Sequence, residues 1–427
     1  MRTLARLRWG AYLWVLAATA ACSRDGEVDV SEGPAGFVAM DDGGAPAAQP
    51  AATNESAVAT PVTPVTAPPI KAKVRAAGAE EVALAAALVH LAPADLKTWL
   101  ARDGAAYSAD RRNLALALSL SAQGAIAEAK QVADDVDEDE LSDGEQALLQ
   151  AALAGPGRRA AQATFGADQP LALAMDMLLR ERDGRAALNA NDAVGAARVF
   201  SSLMRDELAA PWEGDPATLT RWNQPLSQAQ RMHRWSVRGK WPSVEAKVQK
   251  GDSLTVLRKR VIGEHKGLLI CTGLIARANQ LKDENALRPG DVLRVPTDRV
   301  SVVVDVSSRW MLYLHGDEVA AAFEIGVGRD GHDTPIGNYT VGPKQKEPMW
   351  FPKGGKPVPF GDPENPLGTR WIPWMLDGVK TDVGFHGTNA EAGVGGRVSQ
   401  GCVRLRNVDA ELLFDILPEG SEIRVQP

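Results

Sequence analysis

Cysteine is scarce in this sequence. Only 3 of the 427 residues are cysteine, and Cys22, Cys271 and Cys402 form no CxxC pair. This density excludes a small domain held together by disulfides, because such scaffolds carry many closely spaced cysteines. Each cysteine therefore needs a separate explanation.

An excess of basic charge is also lacking. Lys and Arg number 47 against 54 Asp and Glu, which gives a net charge of −7 and argues against nucleic-acid binding through a basic face. With 45% hydrophobic and 24% charged residues, the composition excludes a wholly disordered, fibrous or multi-spanning membrane protein. The length exceeds that of one ordinary domain, so we expect a multidomain protein.

Residues 1–22 are typical of a bacterial export signal, with an arginine-rich start and a short apolar stretch at 11–21. That stretch is shorter than the about 20 residues that a transmembrane helix needs. Its end, Thr19-Ala20-Ala21-Cys22, resembles a lipoprotein lipobox, although lipoboxes usually carry Leu where Thr19 stands. The resemblance implies that Cys22 is acylated and, with Ser23 after it, that a lipid anchors the protein in the outer membrane of a Gram-negative-type bacterium, facing the periplasm. The alternative is an ordinary cleaved signal.

Residues 23–79 form a linker rich in Pro and Ala. Seven prolines fall between Pro34 and Pro69, and no Lys or Arg lies between Arg24 and Lys71. Such a segment buries too little apolar surface to offset its ordering entropy, so we expect a disordered tether.

Residues 80–240 are predicted to be α-helical, because Ala and Leu recur there with helical spacing. The stretch 186–200 has small residues where two helices would pack and a break at Asn191-Asp192. It resembles a degenerate tetratricopeptide-type helix pair, which implies a concave surface for a protein partner. The alternative is a helical spacer that packs only on itself.

Residues 246–297 are predicted to fold in the order strand, helix, helix, strand. A strand runs into Gly251-Asp252-Ser253, where Asp252 or Ser253 can cap the following helix. The stretch 287–296 is a turn followed by a second apolar strand that ends at a proline. Together with Asn279 between them, these two ends resemble the LysM domain.

LysM domains bind glycans that contain N-acetylglucosamine, such as peptidoglycan. The resemblance implies that the glycan groove is lined by Gly251, Asp252, Ser253 and Asn279. For Cys271, in the apolar run Leu268-Leu269-Ile270-Cys271, we expect the role of a small buried hydrophobe.

Residues 299–427 are predicted to be β-rich, with strands at 301–306 and 310–314 and a hairpin turn at Gly316-Asp317. His386 and Cys402 each stand among glycines further along the chain, a pattern that suits a base and a nucleophile brought together by a loop. A free cysteine is mostly protonated at neutral pH, so an adjacent imidazole must take its proton. We expect the other histidines of this part, His315 and His332, to be solvated loop residues.

The surrounding motifs resemble the L,D-transpeptidase catalytic domain of the YkuD type. They are Asp333-Thr334-Pro335-Ile336-Gly337, then His386-Gly387-Thr388, and then Ser399-Gln400-Gly401-Cys402-Val403-Arg404 with Asn407 downstream. The family usually carries a histidine where Gln400 stands. Glutamine cannot titrate, but the earlier histidine, the base in this family, is present here.

The resemblance implies that Cys402 is the nucleophile and His386 the general base. Gly387 or Thr388 would hold the imidazole. The amides of Gly401 and Cys402 would bind the oxyanion.

The implied substrate-binding set comprises Ser399, Gln400, Arg404 and Asn407, with Arg404 recognising a carboxylate of the peptide stem. A structural arginine is the alternative for that residue. The sequence predicts no metal site and no cofactor.

The expected function is formation of 3→3 cross-links in peptidoglycan through a cysteine thioester, with LysM holding the enzyme on the wall. The same site would serve an L,D-carboxypeptidase or an enzyme that attaches a lipoprotein. A different class of function is a wall-binding scaffold whose catalytic domain has decayed at Gln400.

Overall fold

The structure is a computed structural model that describes residues 78–154, 170–236, 239, 241–352 and 354–427. The predictions for the export signal, for Cys22 and for nearly all of the linker lie outside these residues. In the described ranges, no helix combines the length and the apolar character needed to cross a membrane.

The predicted helical region is confirmed. A turn at Asn191, which has a φ of 59°, separates two antiparallel helices at the break that the sequence indicates. Asp192 caps the second of them by accepting a hydrogen bond from the amide of Gly195 at 2.9 Å. The helices of the described region are α1 (Ala79–His90), α2 (Pro93–Arg102), α3 (Ala109–Ala122), α4 (Ile126–Ala133), α5 (Asp143–Leu153), α6 (Pro170–Asn189), α7 (Ala193–Ala209) and α8 (Pro216–Met232).

The strand, helix, helix, strand order predicted for the next segment is also present. Its elements are β1 (Ser243–Lys247), α9 (Leu254–Glu264), α10 (Thr272–Ala278) and β2 (Val292–Pro296). The two strands pair antiparallel, with Ala246 opposite Leu293. Ser253 caps α9 by accepting a hydrogen bond from the amide of Val256 at 3.3 Å, so the cap is the serine of the two residues proposed.

The C-terminal part is built around a nine-stranded sheet in the order β12-β10-β9-β7-β13-β3-β4-β5, with β8 paired to β9. A second, two-stranded sheet joins β11 to β6. The elements are β3 (Val300–Asp305), β4 (Trp310–His315), β5 (Glu318–Glu324), β6 (Val327–Gly328), β7 (Gly337–Val341), β8 (Gln345–Lys346), β9 (Arg370–Leu376), β10 (Val379–His386), β11 (Arg397–Ser399), β12 (Val403–Arg404), α11 (Asn407–Ile416) and β13 (Glu422–Gln426).

The LysM-like segment and the β-rich part share one apolar core. Helix α10 approaches α11 so closely that a Cβ on Gly273 would lie 2.4 Å from the carbonyl oxygen of Asp415. Cys271 packs against this core, and its thiol donates a hydrogen bond to the same oxygen at 3.0 Å. The two segments are therefore held in a fixed relation by packing.

The helical region covers the outer edge of the large sheet. Strand β5 pairs with β4 on one side only, so its other side carries free backbone groups. Ser201 accepts a hydrogen bond from the amide of Val319 at 2.7 Å, and Gln230 donates to the carbonyl of the same residue at 2.7 Å. The indole of Trp235 donates to the carbonyl of Ala320 at 3.2 Å. Side chains thus replace the missing strand.

The expectation that His315 is solvated is wrong. The residue ends β4 and is 2% exposed, with a ring nitrogen 2.9 Å from the hydroxyl of Tyr313. The rings of Trp235 and Trp241 lie 5.9 and 5.7 Å from its ring. The hairpin end is buried because the segment that leaves the helical region crosses it. His332, by contrast, is exposed as expected.

Replacing Gln230 tests whether the helical region stabilises the sheet edge. Gln230 is 1% exposed. We expect Gln230→Ala to lower the free energy of unfolding by about 1–3 kcal/mol, because the carbonyl of Val319 loses its donor in a buried place. Urea denaturation followed by circular dichroism measures this. The matched variant is Ser227→Ala, which removes only a hydrogen bond to Asn223 within the same helix. Equal effects of the two variants would contradict the role of the edge contacts.

Candidate active site

The sheet register places the two predicted catalytic side chains on one face. Strands β10 and β12 are parallel, with Phe385 opposite Val403 and His386 opposite Arg404. Since side chains alternate along a strand, His386 and Arg404 share a face, and Cys402, two positions before Arg404, joins them. The thiol of Cys402 lies 3.9 Å from the carbonyl oxygen of Asp382, and the backbone of Gly384 is near enough to lower the pKa of the thiol. The loop of 15 residues between base and nucleophile is thus closed by strand pairing.

The imidazole of His386 is held by one backbone carbonyl. Its Nδ1 is hydrogen-bonded to the carbonyl oxygen of Gly387. A carbonyl can only accept, so Nδ1 carries the proton and Nε2 is free to accept one. Of the two residues that the sequence proposed for this role, it is Gly387 that fills it. The hydroxyl of Thr388 instead accepts a hydrogen bond from the amide of Ala390 at 3.1 Å.

Burial keeps this imidazole neutral. His386 is 3% exposed, and the ring of Trp371 lies 6.0 Å from its ring. The pKa of His386 is lowered to about 4, chiefly by burial; the hydrogen bond to Gly387 opposes this shift, and the positive charge of Arg404 adds to it.

Burial also favours the neutral thiol. It raises the pKa of Cys402, while the amide of Gly384 and the charge of Arg404 lower it and Asp382 raises it. At neutral pH the resting site therefore holds a neutral thiol and a neutral imidazole rather than a preformed ion pair. Proton transfer must accompany the attack of sulfur on a substrate.

Ser399 shapes the loop that carries the nucleophile. It is 1% exposed, its hydroxyl donates to the carbonyl of Cys402 at 2.6 Å, and it accepts from the amide of Gly401 at 3.1 Å. Gly401 has a φ of 109°, which a residue with a side chain rarely adopts. This geometry gives Ser399 a positioning role in place of the predicted substrate contact. The hydroxyl of Ser399 also engages the amide of Gly401, so of the predicted pair the Cys402 amide stays the predicted oxyanion donor.

Asn407 fixes the loop that carries the base. Its side-chain oxygen accepts from the amides of Thr369 and Thr388, both at 3.1 Å, and its nitrogen donates to the carbonyl of Thr388 at 2.8 Å. These bonds hold the backbone beside Gly387, whose carbonyl orients the imidazole. Asn407, predicted to bind substrate, is thus placed as a support for the base.

Arg404 and Gln400 differ in their surroundings. Arg404 is half-buried beside the thiol, and among the described residues its Nε has no hydrogen-bond partner. Its position suits the predicted recognition of a carboxylate. Gln400 is exposed, so its side chain lies outside the bonds that hold the nucleophile loop.

The residues predicted to line the glycan groove also hold the local fold of this segment. Asp252 accepts from the amide of Gln249 at 2.8 Å and pairs with Arg260 at 2.9 Å, and its side chain is 5% exposed. The Ser253 hydroxyl is the helix cap described above. Gly251 is exposed and has a φ of 88°. These residues shape the loop between β1 and α9.

Asn279 has a similar structural task. It donates to the carbonyls of Ile275 and Arg294 at 2.8 and 2.7 Å and accepts from the amide of Arg294 at 2.9 Å. Its amide group is therefore used to tie α10 to β2. The motif that identifies this segment is largely a folding motif.

Two residues of the site were not predicted from the sequence. Gly384 lies against the thiol, and a Cβ there would be 2.5 Å from the carbonyl oxygen of Ile372 and 2.9 Å from the ring of Trp371. Trp371 faces His386 across the pairing of β9 and β10. Because side chains alternate along a strand, Gly384, two positions before His386, could be inferred from the sequence. Trp371 could be identified only from the strand register. In the described part of the chain, no group of acidic, histidine and cysteine residues is arranged to hold a metal ion.

Comparison with known proteins gives two family matches. Residues 299–425 match the model of the L,D-transpeptidase catalytic domain (YkuD), and residues 246–296 match that of the LysM domain. YqjB of Bacillus subtilis is 32% identical over 146 residues, which cover 33% of this chain and 74% of that protein. The chain belongs to the L,D-transpeptidase family.

Two further relatives match a similar share of the chain. ErfK/SrfK of Salmonella typhimurium is 36% identical over 151 residues and YbiS of Escherichia coli 32% over 169 residues. These matches cover 32% and 34% of the chain, which itself spans about half the length of those relatives, 47% and 53%. All three relatives are named as L,D-transpeptidases.

Solved structures are similar at lower identity. The catalytic domain of the Enterococcus faecium L,D-transpeptidase is 24% identical, over 30% of this chain and 98% of that one, with a TM-score of 0.25. L,D-transpeptidase 3 from Mycobacterium tuberculosis is 17% identical over 46% and 95%, with a TM-score of 0.26. The family assignment rests on the sequence matches.

The lowered pKa of His386 predicts an acid-tolerant site. Below about pH 4 the imidazole is protonated and cannot accept the thiol proton, so acylation should fall as the pH drops through about 4 and not through the usual 6.5. Stopped-flow rates of acylation by a carbapenem, recorded between pH 3.5 and 8, measure this acid limb of the pH–rate profile.

Two variants control this profile. Gln400→His adds an exposed titratable group and should leave the acid limb where it is, whereas His386→Gln should lose acylation by at least about 100-fold at every pH. An acid limb that persists unchanged in His386→Gln would contradict the assignment of the base to His386.

Ser399→Ala tests the support of the nucleophile. Loss of the bonds to Gly401 and Cys402 should lower kcat about 10- to 100-fold with little change in KM, because the sulfur is displaced from the attack geometry. Ser307→Ala, which removes a bond to Asp305 elsewhere in the sheet, should leave kcat unchanged. An equal loss in both variants, with equal loss of thermal stability, would show only general destabilisation.

Proposed function

We propose that this protein is an exported L,D-transpeptidase that forms 3→3 cross-links in peptidoglycan. The observation that carries the proposal is the β10–β12 pairing, which presents a thiol and a neutral imidazole on one face in a member of this family. The substrate is a tetrapeptide stem with a diamino acid at position three.

The first half-reaction uses Cys402 and His386. The sulfur attacks the carbonyl of the diamino acid while Nε2 takes the thiol proton, and the amide of Cys402 donates to the oxyanion. When the tetrahedral intermediate collapses, the C–N bond to the terminal D-Ala breaks and the leaving amine takes the proton from Nε2. The product is a thioester on Cys402.

The second half-reaction returns the enzyme to its starting state. The side-chain amine of a neighbouring stem loses a proton to Nε2 and attacks the thioester carbonyl. The C–S bond breaks, the thiolate recovers the proton, and an amide bond joins the two stems. No charge has to be stored in the site between turnovers, which agrees with the neutral resting pair.

The other segments would bring the enzyme to its substrate. A lipid on Cys22 and the linker would tether it to the outer membrane, and the LysM domain would raise the local concentration of stems by binding glycan. Helices α7 and α8 pack on β5, so this face of the helical region is already covered, and a protein partner would have to use another face.

Three alternatives share parts of this structure. Water as the acceptor makes an L,D-carboxypeptidase, and a protein lysine makes an enzyme that attaches a lipoprotein. A scaffold that lacks catalysis is disfavoured, because the base and the nucleophile are both in place and the departure at Gln400 concerns an exposed side chain.

Covalent trapping separates an enzyme from a scaffold. We expect a carbapenem to add its full mass to the folded protein at Cys402, as read by intact-mass spectrometry, and to leave Cys402→Ala unmodified. His386→Gln should react at least about 100-fold more slowly. Wild-type protein without an adduct would contradict the catalytic proposal.

Muropeptide analysis then identifies the acceptor. After incubation with tetrapeptide-rich sacculi, new 3→3 dimers would support transpeptidation. Tripeptides without dimers would assign the carboxypeptidase activity, and a stem linked to a lipoprotein lysine would assign the attachment activity.

A further inference from the structure

The strand register forms a row of side chains across the candidate active site. His386 of β10 lies opposite Arg404 of β12 on one side and opposite Trp371 of β9 on the other. Trp371 in turn lies opposite Gln345 of β8. Directly opposite residues point to the same face of a sheet, with neighbouring strands about 4.8 Å apart. The base therefore has two flanks, one toward the strand of the nucleophile and one toward an indole.

The adjacent row of residues identifies the face that this row occupies. Ile372, Phe385 and Val403 lie opposite one another, one position away from the row of the base, and each is at most 1% exposed. Because side chains alternate along a strand, these three fill the core and the row of His386 points to the other face. Trp371 is half-buried, so part of its ring stays open to a ligand or to solvent.

The indole of Trp371 fills one flank of the base. Its ring lies 6.0 Å from the imidazole of His386, and the two planes are inclined by 39°. The same ring extends over Gly384, since a Cβ on that glycine would lie 2.9 Å from a carbon at the far edge of the six-membered ring. One indole thus covers strand β10 from Gly384 to His386.

Water and an amine compete at this place in the proposed reaction. Either acceptor can open the thioester, and each must give a proton to Nε2 of His386. With water, a C–O bond forms, the C–S bond breaks, the stem leaves as a free acid, and the proton passes from Nε2 to the thiolate. The acceptor that reaches the base therefore decides between cross-linking and hydrolysis.

We propose that Trp371 selects the acceptor by keeping water away from the flank of His386 that lies opposite the nucleophile strand. The proposal rests on the proposed function and names the residue that decides between its two outcomes. A water against the apolar face of an indole loses hydrogen bonds, whereas the methylene groups of a diamino acid side chain pack well there. Trp371 acts through the base, so it is a positioning residue.

The charges near the base come from other residues. Arg404 on β12 lowers the pKa of His386, and Asp382, earlier on β10, acts on the pKa of the thiol instead. On β9 the adjacent Arg370 lies on the opposite face, with its guanidinium 5.4 Å from an aromatic ring of α11. Trp371 contributes burial without charge, so its removal should raise the pKa of His386 toward the ordinary range.

The first test measures how the acyl-enzyme of the full chain divides between the two acceptors. With a tetrapeptide stem as both donor and acceptor, Trp371→Ala should raise the ratio of tripeptide to 3→3 dimer roughly 10-fold. Trp371→Phe retains an apolar ring and should stay within about threefold of the wild-type ratio. An unchanged ratio in Trp371→Ala would overturn the proposal.

The second test measures the pH dependence of acylation by a carbapenem. In Trp371→Ala the acid limb should move up from about pH 4 by roughly one pH unit or more, because water then reaches the imidazole. Leu376→Ala is the matched control, since it removes an exposed apolar side chain at the other end of β9, about 16 Å along the strand. It should change neither the limb nor the product ratio. Equal changes in both variants would overturn the proposal.

A titration without catalysis separates this proposal from the proposed function. In the Cys402→Ala protein, histidine signals followed by NMR and assigned with His386→Gln should show a higher pKa for His386 once Trp371 is also replaced by Ala. If the wild type forms no 3→3 dimer but this rise is seen, the proposed cross-linking fails and the shielding by Trp371 stands. If the pKa of His386 does not change, the shielding is wrong whatever the activity.

Discussion

The parallel pairing of β10 with β12 is the constraint on which the candidate site depends. It joins a base and a nucleophile that lie 16 residues apart in the chain, and it puts both on one face of the sheet. Strand β12 has only two residues, so the pairing needs support from outside. Asn407 supplies it on the side of the base and Ser399 on the side of the thiol.

Burial sets the chemistry that this pairing makes available. The same surroundings lower the pKa of His386 and raise that of Cys402, so each group is neutral before substrate arrives. The neutral thiol reacts more slowly with oxidants than a thiolate would, because the thiolate is the reactive form. The charge of Arg404 lowers the pKa of Cys402 and so favours the thiolate once the proton has been transferred.

The sequence allowed several features to be predicted because they depend on local pattern. These features are the helix break at Asn191, the hairpin between β4 and β5, and the combination of a base and a nucleophile at His386 and Cys402. The roles of Asp252 and Asn279 could not be predicted, because a side chain that suits a glycan also suits a buried backbone group. The partner of Asn279 is 15 residues away, and only the fold brings it near. The burial of His315 could not be predicted either, because it depends on Trp235 and Trp241, which only the fold brings near.

The covered edge of β5 has a consequence for any shortened form of the protein. A catalytic domain cut free at its first strand would keep the sheet but lose the side chains of Ser201, Gln230 and Trp235. Its outermost strand, seven residues long, would then offer unpaired amides and carbonyls to the same strand of another molecule. We expect such a fragment to self-associate edge to edge. The helical region therefore protects the full chain from this aggregation.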